Sequence, residues 1–189
     1  MCGNVWRTEL WFICCLVPGL KKWKPSPPYL LRRAGVEVAT VGLNGKVVYG
    51  AHNIGIEADI TIGQLDLTDI DMIILPGGLG GVTSCRACPE AMEALRFAWD
   101  NGKQVAAICA GPTVLADLGI TDGMHTTCFP GCEGMMGSAL CQEGKAAVTD
   151  GRLVTGTSAG CAIPFGLELI AALKGKEKAE EIREQFVIR

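Results

Sequence analysis

The sequence predicts an α/β domain built on a buried, mostly parallel sheet, with a nucleophile elbow at Cys109. Three observations carry this. Short apolar runs alternate with amphipathic ones from Val36 onward. The run Met72–Leu75 ends in Pro76-Gly77-Gly78, and the run Gln104–Ile108 ends in Cys109-Ala110-Gly111-Pro112. Both junctions read as a strand leaving a sheet through a tight glycine turn.

Taken in order, Leu10–Val17 is an apolar strand. It is too short to span a bilayer, and its charged residues follow it, unlike those of a secretory leader. Val36–Val41 reads as a strand and Lys46–Ala51 as hairpin-like. Pro89–Asp100 is a helix, with Met92, Leu95, Phe97 and Trp99 as apolar faces, and Asn101-Gly102 closes it. Gln104–Ile108 is a short buried strand, and Thr113–Leu118 is the helix after the elbow. Ala146–Thr149 and Arg152–Thr155 flank Asp150-Gly151, a two-residue hairpin signal that predicts antiparallel pairing. Phe165–Leu173 is a helix stopped by Gly175, and Glu177–Gln185 is a charged amphipathic helix.

The 189 residues, 49% of them hydrophobic, suit one domain with a substantial core. A net charge of −3 and a pI near 5.4 give no electrostatic footprint for nucleic acid, and Lys21, Lys22 and Lys24 form only a short basic cluster. Ten cysteines lie mostly in apolar or helical text without a leader, so they read as reduced thiols of a cytoplasmic protein, with no membrane partner.

At the elbow, a sharp turn after a buried strand lifts one side chain out of the sheet, and the next helix aims its N–H groups at it. Such a setting pushes a thiol towards thiolate. Gly111 permits the tight path, and Pro112 suits the first helical turn because its missing N–H is not needed there. The competing reading is a buried cysteine that fills a core gap.

Other motifs carry less. Gly156-Thr157-Ser158-Ala159-Gly160 matches a serine elbow, but the histidine of a triad would follow the serine, and His52 and His125 both precede it. The segment is read as a structural turn. Cys85-Arg86-Ala87-Cys88 has redox or zinc spacing but lacks a second pair, so surface or helix-start thiols are preferred and no metal or cofactor is expected. Oxidative pairing of Cys85 with Cys88 is kept as a stress reaction. Cys128 and Cys161 are read as small packing residues near the pocket, and His125 as a loop residue rather than a base for Cys109.

Leu75-Pro76-Gly77-Gly78, Ala106-Ala107-Ile108-Cys109-Ala110-Gly111-Pro112 and Gly175-Lys176-Glu177 together resemble the ThiJ/PfpI superfamily, and within it the branch of the parkinsonism-associated protein deglycase. The likeness runs from Leu31 onward. It implies a flavodoxin-like three-layer sandwich of the class I glutamine amidotransferase type, working as a homodimer. It further implies Cys109 as nucleophile, an oxyanion hole from the amides of Gly77 and Gly78, and no cofactor. The branch acts on α-oxoaldehydes or glycated groups, and its members are also described as redox sensors and chaperones.

The resemblance also implies a catalytic glutamate in a Gly-Phe-Glu-Glu-x-Glu segment after the first strand. This chain has Gly19-Leu20-Lys21-Lys22-Trp23-Lys24-Pro25 there, with Lys24 at the glutamate's place. One set of codons that encodes these residues, GGT-TTG-AAG-AAA-TGG-AAG-CCC, read one base earlier, contains TTT-GAA-GAA-ATG-GAA-GCC, which encodes Phe-Glu-Glu-Met-Glu-Ala. Residues 1–28 are therefore read as an atypical N-terminal segment, wholly or partly out of frame, and 29–189 as the family domain; gene sequence without such an overlapping frame would refute this. If the segment is as written, the lysine cannot replace the carboxylate, and Pro25, Pro27 and Pro28 are expected to break the helix that follows.

Overall fold

The computed structural model describes residues 11–16, 26–50, 52–68 and 70–188. Strand β1 (Trp11–Leu16) is followed by helix α1 (Ser26–Arg33) and strands β2 (Glu37–Gly42), β3 (Val47–Tyr49), β4 (Gly55–Glu57), β5 (Ile60–Thr61) and β6 (Ile70–Leu75). Helices α2 (Leu79–Arg86) and α3 (Pro89–Asp100) lead to β7 (Gln104–Ile108), α4 (Pro112–Asp117) and β8 (His125–Thr126). Then come β9 (Leu140–Cys141), β10 (Ala147–Asp150), β11 (Leu153–Gly156), α5 (Ala162–Lys174) and α6 (Lys176–Gln185).

Seven strands form one sheet in the order β10-β11-β7-β6-β1-β2-β5. All neighbours run parallel except β10 and β11, which form the antiparallel hairpin across Gly151. Gly151 takes φ 55°, a conformation that costs a side chain but not a glycine. The pair β3–β4 is the predicted hairpin, its second strand lying beyond the run read from the sequence.

Side chains alternate across the sheet, and the two faces feed two cores. Ile73, Leu75, Val105 and Ala107 pack with Val82, Leu95 and Leu115 from α2, α3 and α4. Met72, Ile74, Ala106 and Ile108 pack on the other face with Leu30, Phe165, Ile170 and Ile182 from α1, α5 and α6. Helix, sheet and helix layers make the three-layer α/β sandwich.

Two expectations are corrected. Pro27 and Pro28 do not break the helix start: both lie buried in the first turn of α1, where prolines remove no needed hydrogen bond. Pro25 lies outside the described residues. The segment Leu79–Arg86, not read as a helix, forms α2, and α5 begins at Ala162, earlier than Phe165.

Candidate active site at the Cys109 elbow

The chain leaves β1 towards β2 on one side, while β6 and β7 lie on the other, so strand order reverses beside β1. In parallel sheets of this kind ligands gather at the carboxyl ends of the strands flanking that reversal. Gly77 follows β6 and Cys109 follows β7, which puts both turns at that end.

Cys109 takes φ 68°, one of three non-glycine residues with positive φ among those described. A left-handed cysteine costs about 1–2 kcal/mol, so the surroundings must hold it. They do: its N–H donates to the Gly156 carbonyl (2.8 Å), and its carbonyl accepts from the Phe129 N–H (2.9 Å). The residue is 3% exposed.

The two turns touch backbone to backbone. A Cβ on Gly77 would lie 2.4 Å from the Ile108 carbonyl oxygen and 2.6 Å from the Ala110 nitrogen. One on Gly111 would lie 2.8 Å from the Leu75 carbonyl oxygen. Glycine is required at both positions by this approach. Among the described residues no backbone carbonyl accepts from the amides of Gly77 or Gly78. Gly78 precedes α2 with φ 119°, and Pro112 begins α4.

Sequence reading missed the clamp that holds these turns together. Arg86, at the end of α2, reaches Asp117 of α4 (2.6 Å) and the carbonyl and hydroxyl of Thr113 (both 3.3 Å). The Thr113 hydroxyl in turn donates to the Ala110 carbonyl (2.8 Å). The only signal in the sequence is Arg86 itself, set between Cys85 and Cys88. Cys85 is corrected here: it is fully buried in α2 rather than at the surface, and burial pushes its thiol up to about 12. Cys88 is a helix-start residue, as expected, capping α3.

Beside the elbow lies a cavity of about 280 Å³ lined by Thr127, Cys128, Glu133, Cys141, Gln142 and Thr157, among others. The Thr127 amide donates to the Thr155 hydroxyl (2.9 Å), and the Thr127 and Thr157 hydroxyls share a bond (2.7 Å), stitching this wall to β11. Burial raises the Cys128 thiol to about 12, with Cys141 and Glu133 adding to the effect. Cys132 is also raised, by burial first and then by Cys109 and Glu133.

The remaining expected residues fall outside the chemistry. Ser158 is extended and donates to the Cys161 sulfur (3.5 Å), a local turn contact. Cys161 is half-buried at that turn. His125 belongs to β8 rather than to a loop; its ring meets Gln142 (2.9 Å) on the exposed side. No described hydrogen bond joins it to Cys109. Lys24 lies outside the described residues, and no group of three or more His, Cys, Asp or Glu among the described residues is placed to hold a metal ion.

The family model described as DJ-1/PfpI family matches residues 16–172. The chain belongs to the DJ-1/PfpI family. Among relatives of this DJ-1/PfpI chain, Protein dj-1beta of Drosophila melanogaster is 34% identical over 161 residues, covering 84% of this chain and 86% of the relative. The Glutathione-independent glyoxalase DJR-1.2 of Caenorhabditis elegans is 30% identical over 155 residues, covering 81% and 82%. The crystal structure of Drosophila melanogaster DJ-1beta superposes with a TM-score of 0.89 at 32% identity, covering 96% of this chain and all of that one. The Toxoplasma gondii DJ-1 structure, oxidized, gives 0.88 at 27% identity, covering 95% and 98%. The α/β sandwich implied by the family resemblance is thus the fold of this chain, and no described helix is long and apolar enough to cross a membrane.

Proposed function

We propose that this chain is a cofactor-independent enzyme of the glyoxalase or deglycase type, acting through Cys109 on α-oxoaldehydes or their adducts, as a cytoplasmic homodimer. The observation that carries it is the left-handed Cys109 wedged against the Gly77 turn, whose neighbouring amides have no described backbone acceptor. A relative named for glutathione-independent glyoxalase activity supports the same reading.

In this mechanism the Cys109 sulfur attacks the aldehyde carbon of methylglyoxal, and the carbonyl electron pair moves to oxygen. The amides of Gly77 and Gly78 stabilise that oxyanion. The aldehyde carbon's hydrogen leaves as a proton, a proton returns to the neighbouring carbon, and a thioester results. Water opens the thioester, giving lactate and the free thiol. The sum is methylglyoxal plus water to lactate, with no external oxidant or reductant.

The proton transfers need an acid/base group, and Lys24 holds its expected place. That substitution favours a second reading, a thiol redox sensor or holding chaperone without turnover. It also keeps the out-of-frame origin of residues 1–28 as a proposal. Lactate formation from methylglyoxal by the purified chain, beside Cys109→Ser and Lys24→Glu, separates these. Turnover lost in Cys109→Ser supports the enzyme; a silent parent rescued by Lys24→Glu places the lesion in the N-terminal segment. Silence in all three overturns the enzyme reading.

A further inference from the structure

We propose that Cys128 and Cys141 form a redox-active dithiol that closes to a reversible disulfide on the wall of the cavity beside the elbow. This goes beyond the aldehyde chemistry of Cys109 and does not depend on it.

β8 and β9 run parallel, with Thr126 opposite Cys141. The Thr126 hydroxyl lies 3.8 Å from the Cys141 sulfur, so that sulfur leans towards the β8 strand. Cys128 is two residues beyond Thr126, the spacing that returns a side chain to the same side of an extended chain. The two thiols face the same space: Cys128 and Cys141 both line the cavity, and Cys141 is close enough to help raise the Cys128 thiol.

Their surroundings divide the labour. Cys141 is the more exposed and is the one an oxidant reaches. Cys128 is 5% exposed, and burial raises its thiol so that it keeps its proton. Cys132, also in this loop, acts on Cys128 less than Cys141 does and has Cys109 and Glu133 as its own neighbours.

With hydrogen peroxide as oxidant, the Cys141 sulfur attacks one peroxide oxygen, the O–O bond breaks and water leaves, giving a sulfenic acid. The Cys128 sulfur then attacks that sulfur, the S–O bond breaks and a second water leaves. The two sulfurs lose two electrons to the peroxide, and both thiol protons end in water. The new bond ties β9 to the residue before Phe129, whose N–H holds the Cys109 carbonyl.

The test uses the full reduced chain, treated with hydrogen peroxide, blocked with N-ethylmaleimide and cleaved without reductant after Asp and Glu. Gly123–Glu133 then carries Cys128 and Cys132, Gly134–Glu143 carries Cys141, and Asn101–Asp117 carries Cys109. The expected product is Gly123–Glu133 joined to Gly134–Glu143 with loss of two hydrogens, released by dithiothreitol. It persists in Cys132→Ser and in Cys109→Ser and disappears in Cys128→Ser and in Cys141→Ser. A link that survives Cys128→Ser, a link to Asn101–Asp117, or oxygen added at Cys109 while Cys141 remains alkylated would each overturn the proposal.

Discussion

Two elbows stand side by side on neighbouring parallel strands. β7 ends at Ile108, one residue before Cys109, and β11 ends at Gly156, two residues before Ser158. Each puts an oxygen or sulfur nucleophile into a glycine-rich turn before a helix. Yet Cys109 has φ 68°, while Ser158 sits at φ −155° and ψ 173°, ordinary extended backbone. Cys109 is held by backbone bonds on both sides, whereas the Ser158 hydroxyl is spent on the Cys161 sulfur. A motif of residue types is therefore a weaker indicator of a reactive group than the backbone strain the surrounding fold maintains.

The largest contrast is in turnover. Cys109→Ser is expected to lower methylglyoxal turnover by at least about 10³-fold, and Ser158→Ala to leave it within about twofold. Comparable losses in both would erase the distinction.

Next comes the tolerance of each turn to a methyl group. Gly77→Ala drives a Cβ into backbone atoms 2.4 and 2.6 Å away that cannot rotate aside. Gly156→Ala meets side chains of Ile108 and Phe165 at 2.9 Å, which can shift. Urea unfolding should show a loss of about 3 kcal/mol for the first and about 1 kcal/mol for the second.

A smaller effect follows from backbone preference. Cys109→Gly should be more stable than Cys109→Ala by about 1 kcal/mol, because only glycine accepts the left-handed conformation freely. At the extended serine the order reverses, with Ser158→Gly less stable than Ser158→Ala. Equal values at the two sites would mean that Cys109 carries no strain.

The smallest effect concerns the clamp. Arg86→Met should cost only ~0.5 kcal/mol, since Arg86 and Asp117 side chains are 38% and 42% exposed. Its informative readout is the KM-against-kcat split. A positioning role loosens the Gly77 turn against the elbow and lowers kcat with little change in KM.

Most strands and the later helices were legible because their apolar periodicity is local. Pro89–Asp100 and Gln104–Ile108 matched residue for residue, each bounded by its own stop signals. Helix α2 was not legible: Leu79-Gly80-Gly81-Val82 is weak helix text, and tertiary packing of Val82 and Cys85 decides it. Pro27 and Pro28 misled for a related reason, since their effect depends on whether they fall inside a helix or in its first turn. At the site, Cys109, Gly77 and Gly111 could be read from turn chemistry. The Arg86 clamp and the Cys128–Cys141 encounter could not, because each joins residues whose proximity exists only after the sheet is assembled.

The sheet's two borders have a consequence for how copies of this chain can associate. β5 is two residues long, and β10 is four, with its terminal Asp150 side chain already accepting the His125 N–H at 2.8 Å and Thr149 tied to Glu168. Neither border offers a long flat row of unpaired backbone groups for an incoming strand to template on. Lengthening this sheet edge to edge into continuous fibrils is disfavoured.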